Sequence, residues 1–232
     1  KSDILAKIAA KNHSNSVKNP LAQMQKDVGF DFCNSVSEKN PMVAPPLRLT
    51  DCSLVSDGAA AIVMVSEELE GNFERGVKFR SAVQVNDFLP MSKREILKFE
   101  GPRKAFHDAY DGAGIKVDDI DFAEVHDCFT IAEMIATEDL GFTESGNGGV
   151  FAREGRGIRN QGDVCVNPSG GLKSKGHPLG ATGTGQAVEV FKQLRGTVEA
   201  ERQVRDAQIG ITHNVGGSGA TCAIHVFGRD KR

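Results

Sequence analysis

The chain has 232 residues, 39% of them hydrophobic, and a formal charge of −3, which is enough apolar material for one or two packed cores. Charges of both signs are interspersed and aromatic residues are only 6%, so a nucleic-acid footprint has little support. No run of about 18 apolar residues exists to cross a membrane as a helix. Five cysteines (Cys33, Cys52, Cys128, Cys165 and Cys222) include no CxxC pair, which argues against a disulfide framework or a zinc site and fits a reducing compartment.

Lys1 leads directly into a helical pattern over residues 2–13, with Ser2 or Asp3 as the N-cap, so the sequence is expected to begin inside a larger protein. After Asn19-Pro20 a short helical stretch is predicted from Leu21 to about Val28. Pro41, Pro45 and Pro46 then impose an extended path. Residues 57–65 are a small-residue turn feeding a continuous apolar run, which reads as a strand buried on both faces. A boundary is expected between Glu67 and Gly76, where the sequence turns charged.

From Val77 the order becomes alternating α/β. Strand 77–86, helix 102–113, strand 120–125, helix 129–140, helix 181–194 and strands 207–213 and 221–227 are predicted, implying a layered domain with a largely buried sheet. Residues 141–162 hold seven glycines and three arginines and read as a loop.

Three segments could carry chemistry. Val125-His126-Asp127-Cys128-Phe129 follows a strand and precedes a helix, where α/β folds present side chains to ligands. There Cys128 reads either as a titratable thiol or as a small buried hydrophobe, and His126 as a donor or as a satisfied core residue. In the run from Asn167 to Gly183, a glycine-rich turn delivers His177, fixed by Pro178, to the start of a helix. That placement suits a base or oxyanion donor, and the phosphate-loop spacings GxxxxGK[ST] and GxGxxG are missing from it. His213-Asn214-Val215-Gly216-Gly217 lies between two apolar strands, where glycines let backbone amides approach a ligand, although taken alone a plain glycine hairpin is the commoner explanation.

Together with Asn40 to Cys52 and Ser56-Asp57-Gly58-Ala59-Ala60-Ala61, these segments occur in the order found in the thiolase superfamily, and the chain resembles the C-terminal part of a sterol-carrier-type (SCP2-type) thiolase over nearly its whole length. The resemblance implies an α/β thiolase fold of layers αβαβα. Residues 1–66 would be the end of the loop domain and the last strand of the first half, and residues 77–232 the complete second half. It implies acyl transfer on acyl-coenzyme A thioesters by Claisen condensation or thiolysis. The acyl-carrying cysteine would lie on a part absent here, since none of the five cysteines occupies a matching motif.

By the same resemblance, His177 matches the histidine that activates the nucleophile and helps bind the thioester oxygen, and His126 sits in the first oxyanion hole. His213 stands where a second catalytic cysteine is usual, which transfers the acid/base role to Cys128. Backbone around Val215, Gly216 and Gly217 would complete the second oxyanion site, and Ser53 and Phe129 would line the pantetheine tunnel. A thiol tuned by two neighbouring imidazoles is expected. Coenzyme A enters as substrate or product, with no prosthetic group and no metal. A homodimer or homotetramer, a small zinc-ribbon/OB-fold accessory protein and a cytoplasmic location follow as expectations. The competing functions are a thiolase-fold aldolase of sterol side-chain thioesters, whose acid/base groups would be tyrosines although only Tyr110 is present, and a non-catalytic thiolase-like subunit.

Overall fold

The computed structural model describes residues 2–73, 76–95 and 99–229. Helix α1 (Ser2–Ser16) runs three residues beyond its predicted end, because Asn15 and Ser16 find buried partners instead of stopping the helix. The helical stretch predicted from Leu21 does not form. The N–H groups of Gln23 and Met24 donate instead to the carbonyls of Lys175 and Ser174, a tertiary pairing that overrides local propensity, and the next helix is α2 (Gly29–Asn34). The proline segment is extended as expected and folds on itself as a small antiparallel pair, β1 (Met42–Ala44) with β2 (Leu47–Arg48).

Residues 57–65 are not a strand. They run as irregular chain on the surface, with Val63 89% and Met64 72% exposed. An apolar run becomes a buried strand only where neighbours take its backbone hydrogen bonds and cover its faces, and no described segment pairs with it. The boundary region opens on a short 3-10 turn (Glu67–Asn72), while residues 74 and 75 lie outside the described residues, as do 230–232.

The remainder keeps the predicted α/β order with three short elements added, α5, β5 and α6: β3 (Val77–Asn86), α3 (Glu100–Ala113), β4 (Phe122–Glu124), α4 (Thr130–Asp139), α5 (Gly148–Glu154), β5 (Cys165–Val166), α6 (Gly171–Lys175), α7 (Thr182–Arg195), β6 (Ile209–Gly216) and β7 (Thr221–Arg229). Helix α5 falls inside the stretch read as loop. Its glycine-rich start is held from outside, since the Glu138 carboxylate on α4 accepts the N–H groups of Gly146 and Gly148, a cap that sequence spacing cannot show.

The five strands form one mixed sheet in the order β3-β7-β6-β4-β5, with β4 parallel to β5 and β6, and antiparallel pairing elsewhere. Strand alternation sorts the core into two layers. Ala123, Ile211, Ile224 and Val226 meet Ala105, Ala109 and Tyr110 of α3 and Ala136 of α4 on one face. Phe122 and Phe227 meet Ala187, Val190 and Leu194 of α7 on the other. The strand ends carrying the motifs therefore open between two helical layers.

Gly210 on β6 lies opposite Phe122, and a Cβ there would stand 2.3 Å from the Phe122 ring, which is fully buried. Gly210→Ala is expected to destabilise the chain by about 1–3 kcal/mol through overpacking, with Phe122→Leu recovering part of the loss in the double variant. Denaturant midpoints of the four proteins check this.

Candidate active site

The backbone of β4 runs on through Val125, whose side chain joins the α3/α4 layer. His126 is directed to the other side, where its Nδ1 meets Asn214 Oδ1 at 2.5 Å. The amide oxygen only accepts, so Nδ1 carries the proton and Nε2 is left free. The ring of His177 stands perpendicular to that of His126, with centroids 5.0 Å apart. Two motifs 51 positions apart in sequence thus meet at one point.

His177 is fixed by its neighbours. Its backbone N–H donates to Ser56 Oγ at 2.8 Å, and its Nδ1 lies 2.7 Å from Thr182 Oγ1. The Thr182 hydroxyl spends its only proton on the carbonyl of Pro178, so it accepts from His177 Nδ1–H, and Nε2 again keeps its lone pair. Burial holds His126 down at about 4, the nearby His177 adding to the depression against the Asn214 hydrogen bond. Burial and the Lys175 ammonium hold His177 below its ordinary value. Both imidazoles are neutral near pH 7.

The glycine-rich segment before His177 is anchored by carboxylates from the β4 end. Glu124 accepts the Ser169 N–H at 2.9 Å and hydroxyl at 2.6 Å. Asp127 accepts the N–H groups of Leu172 and Lys173 at 2.7 and 3.3 Å, capping the start of α6. At Gly171, with φ +63°, a Cβ would stand 2.2 Å from the Asp127 carboxylate, so only glycine fits. Gly176, with φ +118° and ψ 160°, turns the chain into His177.

Ser53 and Phe129 lie close together, since Ser53 N–H donates to the Cys128 carbonyl at 2.9 Å and Cys52 bridges Phe129. Phe129 is 42% exposed. Cys128 is partly buried, and burial with the Asp127 carboxylate pushes its thiol up to about 11. That is opposite to the tuning expected, because neutral imidazoles cannot favour a thiolate.

His213 alternates with Ile211 and Val215 on β6, which places it toward the α3/α4 layer, whereas Asn214 faces α7. It is 2% exposed and neither ring nitrogen has a hydrogen-bond partner. Burial and the nearby His126 hold it down at about 3. Val215 and Gly216 are ladder residues paired with Cys222 and Thr221, so the turn proper starts at Gly217. The carbonyls of Gly217 and Ser218 accept from Arg94 at 3.4 and 3.1 Å.

Sequence reasoning overlooked Thr182 and Asn214 as anchors of the two imidazoles, although Asn214 stands in a motif it quoted. It also overlooked the buried polar face of α1, which looks like an ordinary solvated helix face. A cavity of about 450 Å³ lies away from the histidine pair, beneath α1, between Lys7, Lys11, Phe30, Met134, Phe151 and Ile158. Among the described residues no group of three or more His, Cys, Asp or Glu side chains is placed to hold a metal ion, and no helix is long and apolar enough to cross a membrane.

A mixed sheet between helical layers, with strand-end histidines meeting a glycine-rich loop, defines an α/β domain with a prepared imidazole pair. Residues 84–229 match the family model described as thiolase C-terminal domain-like, and the chain belongs to the thiolase family. It is 44% identical over 228 residues to an acetyl-CoA acetyltransferase of Methanothermobacter thermautotrophicus, covering 97% of this chain and 58% of that protein. It is 39% identical over 223 residues to sterol carrier protein 2 of Oryctolagus cuniculus, covering 93% and 40% respectively. The chain therefore spans little more than half the length of the first of these relatives. Among solved structures, the Ltp2-ChsH2(DUF35) aldolase superposes with a TM-score of 0.85 at 20% identity, over 100% of this chain and 59% of that one. The monomeric SCP2-thiolase-like protein type 1 of Mycobacterium smegmatis superposes at 0.70 and 16%, over 98% and 46%. At such identities these two likenesses concern the fold.

His213 has a pH signature. Its imidazole is held far below the 6.5 of an unfolded chain, so the stability tied to its neutral form is present above pH 6.5 and lost as pH falls toward about 3. Between pH 7 and pH 5 that loss is about 2 kcal/mol for one group. His213→Leu is expected to reduce the acid destabilisation by that amount, measured by denaturant unfolding at the two pH values.

Proposed function

We propose that this chain supplies the oxyanion-binding and acid/base groups of a thiolase acting on acyl-coenzyme A thioesters, with the acyl-carrying cysteine on a part of the protein outside it. The observation that carries the reading is the perpendicular His126–His177 pair, each Nδ1 anchored and each Nε2 free. In this reading His177 Nε2 takes the proton of the incoming nucleophile, and the resulting N–H faces the thioester oxygen as charge develops there, while His126 Nε2, a lone pair at rest, meets that oxygen as a donor only once a proton has moved onto it.

Cys128 is the proposed acid/base group. A thiol pushed up to about 11 is protonated at neutral pH, which suits thiolysis: as the carbon–carbon bond breaks, its proton goes to the α-carbon and the thiolate remains. In the condensing direction the thiolate takes that proton back as the enolate forms. Burial raises the other thiols as well, so location distinguishes them: Cys33, Cys165 and Cys222 are buried within apolar clusters of the core. Ser53 and Phe129, adjacent and partly open, are proposed to line the pantetheine path, and backbone around Val215 to Gly217 the second oxyanion site.

The exposed run 62–65 is proposed to be the last strand of the first thiolase half, covered by residues outside this chain. The expected homodimer or homotetramer stands as a proposal. So does a small accessory protein, which draws support from the DUF35 component of the structural neighbour, the Ltp2-ChsH2(DUF35) aldolase. A lyase with tyrosine acid/base groups is disfavoured, because Tyr110 is 5% exposed and its hydroxyl donates to the Leu140 carbonyl at 3.2 Å, inside the core.

In the complete protein, Cys128→Ala is expected to leave acyl-enzyme formation within a few-fold while slowing deuterium exchange into the α-carbon of acetyl-coenzyme A by about 10²- to 10⁴-fold. Intact mass after brief incubation follows the first step, and the exchange follows the second. If His213→Ala lost exchange and Cys128→Ala kept it, the acid/base role would pass to His213.

A further inference from the structure

Helix α1 touches neither histidine, yet its polar face is buried against the segments that carry them. Asn12, fully buried, donates both amide hydrogens to carboxylates: one to Asp127 Oδ2 at 2.9 Å and one to Glu133 Oε2 at 2.7 Å. Its own Oδ1 has no hydrogen-bond partner. The amide is thus spent entirely on holding two buried carboxylates together, at the cost of an orphaned acceptor.

Glu133 is otherwise met by the Asn167 amide at 2.8 Å and the Lys11 ammonium at 2.7 Å. Among the described residues, the hydrogen-bond donors to the Asp127 carboxylate besides Asn12 are the backbone N–H groups of Leu172 and Lys173. Removing Asn12 would leave two carboxylates facing across a gap with nothing between them. The Asp127 side chain would then swing from its cap on α6. Asp127 is covalently next to His126, and α6 delivers His177 two residues after its end. The carboxylate is therefore the brace between the two imidazoles.

We propose that Asn12 is a positioning residue for the His126–His177 pair, acting through the Asp127 carboxylate that joins the β4 end to α6. Only a planar amide of this length places two hydrogens on two carboxylates at once: aspartate would add a third negative oxygen pair, and leucine would donate nothing. The kinetic part of the test rests on the thiolase reading, whereas the spectroscopic part does not.

The test compares the complete protein with its Asn12→Leu variant. Nitrogen-15-labelled histidine reports the tautomers and shifts of His126 and His177, and thiolysis of acetoacetyl-coenzyme A gives kcat and KM. Gln193→Leu is the control, since Gln193 is an equally buried amide that bonds Glu189 and Arg202 at the far end of α7. We expect Asn12→Leu to shift both imidazole signals and to lower kcat about 10- to 100-fold with KM within a few-fold, as misplacement near 1 Å would. Gln193→Leu should lose stability while moving neither readout. Should Asn12→Leu fail to accumulate, Asn12→Ser keeps one short donor and should shift the same signals less. Unchanged imidazole signals in the Asn12 variants, or equal shifts in Gln193→Leu, would overturn the proposal. A wild-type protein without thiolase activity would sink the functional reading alone, because the imidazole signals still decide the role of Asn12.

Discussion

Asp127 is fully buried, and a carboxylate in that position must be met by donors or give up its charge. Here the donors are the first N–H groups of α6 and the Asn12 amide, and everything around the site follows from satisfying them. The α6 start must come within hydrogen-bond reach, which excludes a Cβ at residue 171, while Ser16 on α1 excludes one at Gly170 beside it. With α6 fixed, Gly176 can place His177 against His126. Burial and the neighbouring Glu133 still push Asp127 up to about 7, so the brace is strained by like charge even while its hydrogen bonds hold it. A single carboxylate between His126 and Cys128 thus converts a glycine-rich loop into a rigid support.

The same burial sets the electrostatic character of the site. It depresses imidazoles and raises thiols, so His126, His177 and Cys128 all rest in their neutral forms near pH 7. Such a site stores no charge of its own. It offers directed lone pairs and an S–H proton, and in the proposed reaction it becomes charged only as a proton moves. Fixed anchors such as Asn214 and Thr182 then matter more than nearby ions, because the response depends on which nitrogen is free.

The α/β order from Val77 onward was legible because apolar periodicity and glycine breaks both report it, and the motifs fell at strand ends where chemistry is expected. Residues 57–65 were misread as a buried strand for an equally physical reason: the pattern states that the run seeks cover, and cannot state that the cover lies in this chain. Helix α5 was hidden because its cap comes from Glu138, and the stretch after Leu21 because its donors go to the loop around Ser174. The polar side chains of α1 were invisible as site residues, since asparagines and serines on a helix ordinarily face water. The upward shift of Cys128 could not be seen either, because it depends on burial and on where Asp127 points.

Among the described residues the face bearing the histidines is open. Phe129 is 42% exposed, Leu179 81%, and Val55, which bridges His177, is fully open. Covering them with apolar surface alone would desolvate His177 further and depress it more, leaving it too weak a base to accept a nucleophile's proton. Whatever closes this face must therefore bring a group that stabilises an imidazolium. A thiol at contact distance does so, because the proton it gives to His177 leaves a thiolate whose charge offsets the desolvation. In the proposed reading, a cysteine nucleophile from outside this chain and the depressed histidine are complementary: each is poorly suited to ionise by itself, and together they can do so as a pair.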